Sequence, residues 1–355
     1  MNSIRFVLCL LTGLVALAPQ LAAQARIEVR CDEAGDRHAA ARGVAFVVVH
    51  RGQIVCERYD DGTTAEDAWA MASGAKSFTP VLLALLSQDG LVALDQSASD
   101  ILPEWREHSR RAAIRPRDLL NQSSGLSPRR GQRYAPSYQE AVDERQVRAP
   151  GQRFEYSPTH FEAFGELVRR QLLAHGLERT PAEYLHRRFF GPLGIEVAGW
   201  REYEGQPLMS EGVRMTARSW ARFGDAALNH GQVAGHQFGD PAVWEAMFQP
   251  SEANPGYGLG WWLLNHPEAP PGRARSRQPM SAPGPDYPFI ALAAGAGNQR
   301  LYVIEALDLV VVRMTRGVID DRLTRRLQWS DRRFLETLLA LDAPAPDTAV
   351  SDGPD

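Results

Sequence analysis

Apolar and polar positions are patterned differently at the ends and in the middle of the chain. Gly43 to Tyr59 reads Val-Ala-Phe-Val-Val-Val-His, then Arg51-Gly52, then Gln-Ile-Val-Cys-Glu-Arg-Tyr. A continuous apolar run, a glycine turn and a second β-rich run predict a hairpin with a buried first strand. Lys76 to Gln88 is apolar and stops before Gly90, which predicts a buried helix with a glycine C-cap. Pro80 falls inside that span and predicts a kink or a lost backbone bond. From about Pro116 to His230 the period is mostly helical, interrupted by Pro/Gly-rich loops. Helices are expected over His160 to His175, over Thr180 to Phe190 (opened by Thr180-Pro181, stopped by Gly191-Pro192) and over Met215 to Leu228 with Thr216 as N-cap. Strand character returns in Arg300 to Ile304 and Leu309 to Thr315, a second hairpin, and Asp320 to Leu341 predicts an amphipathic closing helix. Pro267 to Pro288 reads as a long surface loop, and the acidic segment 343–355 as a disordered tail. Strands at both ends predict one sheet built from the two chain ends, about 26–115 and 245–342. A helical lobe, about 116–244, is inserted between them, with a ligand cleft between the lobes.

The N-terminus adds a location. Arg5, the 12-residue apolar stretch Phe6–Leu17 and Ala23-Gln24-Ala25 read as a removable signal peptide over residues 1–25, so a periplasmic or secreted protein is expected. No other stretch reaches about 18 apolar residues, so no membrane span is expected after cleavage. The chain has 355 residues, 44% hydrophobic and 23% charged, which is a globular composition. A net charge of −4 without a basic run argues against a nucleic-acid partner. Cys31 and Cys56 admit two readings, a disulfide across the first hairpin or two unpaired thiols. The 9 histidines are scattered, with no HxxxH or CxxC pair, so no metal site is expected.

One count points to chemistry. Of the 39 Lys+Arg residues, the only lysine is Lys76. It lies in Ser73-x-x-Lys76, a spacing that lets hydroxyl and amine share one helix face. A neutral lysine can take a serine proton, whereas a guanidinium keeps its own. Tyr156, in Pro-Gly-Gln-Arg-Phe-Glu-Tyr-Ser-Pro, is a candidate base or proton relay. Ala293-Ala294-Gly295-Ala296-Gly297 is small enough for a backbone to approach substrate. An edge strand there, at Gly295 and Ala296, would give one oxyanion N–H and Ser73 the other.

Ser73-x-x-Lys76, then Tyr156-Ser157, then a glycine-rich strand entry resembles the serine β-lactamase and penicillin-binding superfamily. The likeness is greatest to its β-lactamase-related serine hydrolases: class C β-lactamases, DD-peptidases, esterases and the 6-aminohexanoate-dimer hydrolase type. It runs from about Gly43 to Leu341 and includes Leu119-Leu120-Asn121-Gln122-Ser123-Ser124-Gly125-Leu126, Gly191-Pro192-Leu193-Gly194-Ile195 and Tyr257-Gly258-Leu259-Gly260-Trp261-Trp262. The resemblance implies an α+β fold of α/β/α sandwich type, with a five-stranded antiparallel sheet flanked by helices. It implies acylation of Ser73, proton transfer by Lys76 and Tyr156, and no metal or organic cofactor. Two departures stand out. Pro158 occupies the place of an asparagine, and Ala293-Ala294-Gly295 the place of a Lys-Thr-Gly that binds the carboxylate of a β-lactam. An ester or short amide is therefore the expected substrate, with β-lactam or D-Ala peptide cleavage, or a non-catalytic binding protein, as alternatives.

Overall fold

The computed structural model describes residues 28–129, 135–268, 287–316 and 329–340. The expected signal peptide, residues 269–286 of the expected surface loop, residues 320–328 and 341 of the expected closing helix and the expected C-terminal tail lie outside them.

Six strands form the central sheet: β1 (Gly43–His50), β2 (Gln53–Tyr59), β3 (Trp262–Leu264), β4 (Ile290–Gly295), β5 (Gln299–Ile304) and β6 (Leu309–Thr315). Their order is β3-β4-β5-β6-β1-β2, antiparallel throughout. Both expected hairpins are present. The first turns at Arg51 and Gly52, with φ of 52° and 70°, the left-handed pair that matches the twist of a two-residue hairpin. The sheet has one strand more than the expected five. Trp262–Leu264 is only three residues long, too short to show a period of two.

β1 is apolar without alternation because both of its faces are covered. Phe46 and Val48 pack with α1 (Cys31–Ala40) and the C-terminal helix, while Val47 and Val49 pack toward the helical lobe. This is the α/β/α arrangement. Helices α2 (Thr79–Gln88), α3 (Pro158–Ala174) and α4 (Ala217–Leu228) belong to the lobe-facing core, and α5 (Asp331–Leu338) to the opposite one. The described part of the expected closing helix is α5, and the next two residues pair with Glu28–Val29. Cys31 and Cys56 form a disulfide that ties the start of α1 to β2.

The lobe departs from its expected reading in three ways. Pro80 makes no kink, because Ala72–Ser77 is a 3₁₀ turn and Pro80 sits in the first turn of α2, where it has no bond to lose. α3 begins at Pro158, with the Ser157 hydroxyl accepting from Thr159 N–H; α4 begins after the Thr216 cap as expected. Short strands also interrupt the lobe: Trp69–Ala70, Gly199–Trp200 and Val213–Met215 form a small sheet, and Glu202–Tyr203 with Gln206–Pro207 and Gln232–Val233 with His236–Gln237 form two-stranded pairs. No helix among the described residues is long and apolar enough to cross a membrane.

Candidate active site

Ser73 opens the 3₁₀ turn at the seam between sheet and lobe. Three residues per turn eclipse positions i and i+3, so Lys76 stands beneath Ser73, its Nζ donating to Ser73 Oγ at 3.2 Å. Ala72 enters the turn at φ 49°. A left-handed alanine costs on the order of 1 kcal/mol, and packing on every side holds it there. A Cβ on Gly74 would press on Trp220, and one on Gly295 would overlap the Met71 carbonyl. Gly260, at φ 76°, lies against the Lys76 carbonyl and accepts from Ser77 Oγ at 2.8 Å. The end of β4 and the loop before β3 therefore clamp the turn from two sides.

Lys76 is 4% exposed and, among the described residues, pairs with no carboxylate. Its Nζ also donates to the Ser210 carbonyl at 2.9 Å. The remaining space is aromatic. Nζ lies 5.0 Å from the ring centroid of Tyr156 and 5.6 Å from that of Phe161, distances at which ring faces attract a cation. Tyr156 is half-buried, stacked on Trp262 at 5.5 Å and edge-on to Tyr257 at 6.3 Å. Burial, and then the neighbouring Tyr156, push the Tyr257 hydroxyl well above its ordinary range. Tyr156 thus borders Lys76, but its hydroxyl donates to neither Lys76 nor Ser73.

The Tyr156 loop is fixed from below. Gln122, itself left-handed at φ 60°, takes Ser157 N–H on its side chain at 2.7 Å and Glu155 N–H on its carbonyl at 2.9 Å. His160, one turn into α3, donates from Nε2 to the Glu155 carbonyl and accepts the Ser124 hydroxyl on Nδ1, both at 2.8 Å. Burial pushes its imidazole down to about 4, which keeps it neutral and able to do both. Pro158 is the first residue of the helix and brings no polar atom to Lys76.

Gly295 ends β4 and Ala296 begins the turn to β5. β4 is not the sheet edge, which corrects the expected edge strand. Only Ile290–Leu292 pair with β3, however, so the half leading to Gly295 is open on that side. Among the described residues, neither Ser73 N–H nor Ala296 N–H donates to a protein acceptor. Arg300 and Arg313 harden this turn. Arg300 donates to the Gly295 and Gln299 carbonyls and to Asn298 Oδ1, and is paired with Asp331 at 2.8 Å. Arg313 donates to the Asn298 carbonyl at 2.7 Å. Asn298 takes φ 64°, a conformation asparagine tolerates better than most residues.

The sequence reading missed Glu162, Ser210, His160 and Gln122. Glu162 is wholly buried and accepts from Met209 N–H, Ser210 N–H and Ser210 Oγ at 2.8, 3.0 and 2.5 Å. Burial pushes its carboxyl up to about 7, against the downward pull of those bonds and of the Lys76 charge. Its one sequence signal was an acid between Phe161 and Ala163-Phe164, on the apolar face of a helix. No group of His, Cys, Asp and Glu among the described residues could hold a metal ion.

Residues 29–332 match the family model described as Beta-lactamase. No curated protein matches the chain. Solved structures share the fold at low identity. A class C β-lactamase from Rhodobacter sphaeroides superposes with TM-score 0.62 at 16% identity, over 86% of this chain and 98% of that one. EstCE1, a hydrolase with promiscuous acyltransferase activity, gives 0.62 at 15%, over 86% and 97%. A Bacillus anthracis protein provisionally named a 6-aminohexanoate-dimer hydrolase gives 0.64 at 21%, over 82% and 78%.

Proposed function

Because the chain belongs to the β-lactamase family, we propose that it is an exported serine hydrolase that passes an acyl group from a carboxylic ester or short amide to water through Ser73. The carrying observation is the 3.2 Å contact between Ser73 Oγ and the buried Nζ of the chain's only lysine. In its neutral form Lys76 takes the Ser73 proton as Oγ attacks the acyl carbon. The tetrahedral oxyanion is stabilised by the free N–H groups of Ser73 and Ala296. Lys76 and Tyr156 return a proton to the leaving group, which departs, and water then releases the acyl group. The Tyr156 hydroxyl moves into reach when substrate is bound, since such contacts commonly tighten only in the complex.

An ester or amide is favoured over a β-lactam by the residues on β4. Ala293 and Ala294 bring no cation, and the two nearby guanidiniums are spent on Asp331 and on backbone carbonyls. The disulfide favours an oxidising compartment, in keeping with the leader-like N-terminus.

The test is active-site titration with a fluorophosphonate and mass mapping of the adduct. The same protein is assayed on p-nitrophenyl esters, a chromogenic cephalosporin and a D-Ala-D-Ala peptide. The expected result is one adduct, on Ser73, and a burst with the esters; Ser73→Ala should lose both and keep its fold. An adduct on another serine, or none, would refute the nucleophile. Faster turnover of the cephalosporin or the peptide than of the esters would overturn the substrate class.

A further inference from the structure

The structure assigns Glu162 a part in the reaction that neither its sequence context nor the family match announces. We propose that Glu162 is a positioning residue for Lys76, acting through Ser210. This rests on the acyl-Ser73 reading above.

The carboxylate and the ammonium are the two charged groups in this part of the core, and neither has a direct ion-pair partner among the described residues. One residue, Ser210, lies between them. Glu162 Oε1 takes Ser210 N–H and the Ser210 hydroxyl, and Oε2 takes Met209 N–H. The carbonyl of that same Ser210 faces Lys76 Nζ at 2.9 Å. The two contacts lie on successive peptide groups that share the Ser210 Cα, so the carboxylate grips the residue at its N–H and hydroxyl while the carbonyl of that residue grips the ammonium. The neighbouring anchors are neutral: Thr79 Oγ1 donates to the Met209 carbonyl at 2.8 Å, and Tyr138 OH to the Pro207 carbonyl at 2.6 Å. They fix the path of residues 207–209, and Glu162 seats Ser210 itself by its N–H and hydroxyl. That seat places the Ser210 carbonyl, and with it decides whether Nζ is held against Ser73 Oγ or withdraws toward the rings of Tyr156 and Phe161. A carboxylate sealed from water is costly to keep, and hydrogen-bonding a loop would not require a charge.

The groups facing the pair are Tyr138 from the helix Tyr138–Asp143, and Glu166 with Arg169 one turn on in α3, near Tyr138. Beside Lys76 stand Tyr156 with Tyr257, and His160. None of these is altered by Glu162→Gln, which keeps shape and removes the charge.

Wild type and Glu162→Gln are compared by stopped-flow acylation with p-nitrophenyl butyrate across pH, with the fluorophosphonate adduct mapped in each. Glu162→Gln should acylate Ser73 roughly 10- to 100-fold more slowly, the penalty of a reacting group displaced by up to an ångström. KM should stay within about threefold, since nothing that binds the ester has moved. The acid limb of kcat/KM should move to lower pH, because the ammonium has lost a neighbouring negative charge. A merely structural glutamate would lower thermal stability and leave that limb in place. A folded Glu162→Gln that acylates at the wild-type rate with an unmoved limb overturns the inference. If Glu162→Gln does not fold, Ser210→Ala decides. It removes one donor to the carboxylate and keeps the peptide, so slower acylation at unchanged KM supports the assignment and a wild-type rate overturns it. A wild type whose adduct maps elsewhere than Ser73 is a different failure: it brings down the acyl-enzyme reading itself.

Discussion

At the scale of single residues, the acyl-enzyme reading depends on an amine that can lose its proton. Lys76→Arg keeps the charge and most of the length, so a purely electrostatic or packing role would survive it. A proton-accepting role would not, because a guanidinium stays charged at any working pH. Turnover of p-nitrophenyl butyrate should fall by roughly 10²–10⁴-fold, the usual contribution of general acid–base catalysis, with the melting temperature recorded alongside. Wild-type-like turnover in Lys76→Arg would refute the mechanism. Ser73 and Lys76 were legible in the sequence because their partnership is local, three residues within one turn. Glu162 was not. Its partner Ser210 is 48 positions away, and no spacing rule links a helix residue to a loop in the same lobe. Gln122 and His160 escaped for the same reason, since each serves the Tyr156 loop from another element or from the following turn.

At the scale of elements, the first turn of α3 carries two buried groups whose titrations oppose each other. The folded chain holds His160 neutral down to about 4, while the unfolded chain protonates it near 6.5, so this term destabilises the fold as pH falls through that window. By pH 4 it amounts to about 3 kcal/mol. Glu162 acts in the other sense. Its carboxyl titrates at about 7 in the fold and near 4.5 when unfolded. Folding therefore takes up a proton there, and stability is gained as pH falls between those values. In the wild type the two slopes largely offset each other. His38, buried and likewise pushed well below its ordinary range by burial, adds to the loss at acid pH. Removing the carboxyl unmasks the histidines. Urea melts from pH 7 to pH 4 should show Glu162→Gln losing stability more steeply than wild type, whatever its loss at pH 7. Parallel curves would mean that Glu162 is already ionised throughout that range. The long elements were readable because their periods are long. Thr216 before α4 and the continuous apolar run of β1 each carry their own signal. The two- and three-residue strands have no period to read. The 3₁₀ turn before α2 was read as part of one helix, because Pro80 looks like a breaker unless the helix is known to start beside it.

At the scale of the whole molecule, the disulfide closes a loop of 25 residues spanning α1, β1 and most of β2. Loop-closure entropy puts its contribution near 3 kcal/mol. Cys56→Ser, or reduction with dithiothreitol, should lower the unfolding free energy by that order while leaving Ser73 acylation intact, since no atom of the bridge reaches the site. Melts that coincide with and without reductant would show that the bridge restrains nothing that unfolding releases. The sandwich also has a bearing on synthesis. The turn with Ser73 and Lys76 is made early, but Gly295, which packs flush against the Met71 carbonyl, and Ala296 with its free N–H are made only after the whole helical insertion. On the acyl-enzyme reading, a nascent chain therefore carries its nucleophile without the second oxyanion donor and without the clamp that holds the turn. On that reading the late hairpin is a built-in delay: the chain becomes competent to hydrolyse only once it is long enough to close its own sheet, and fragments that stop short of β4 are born inert.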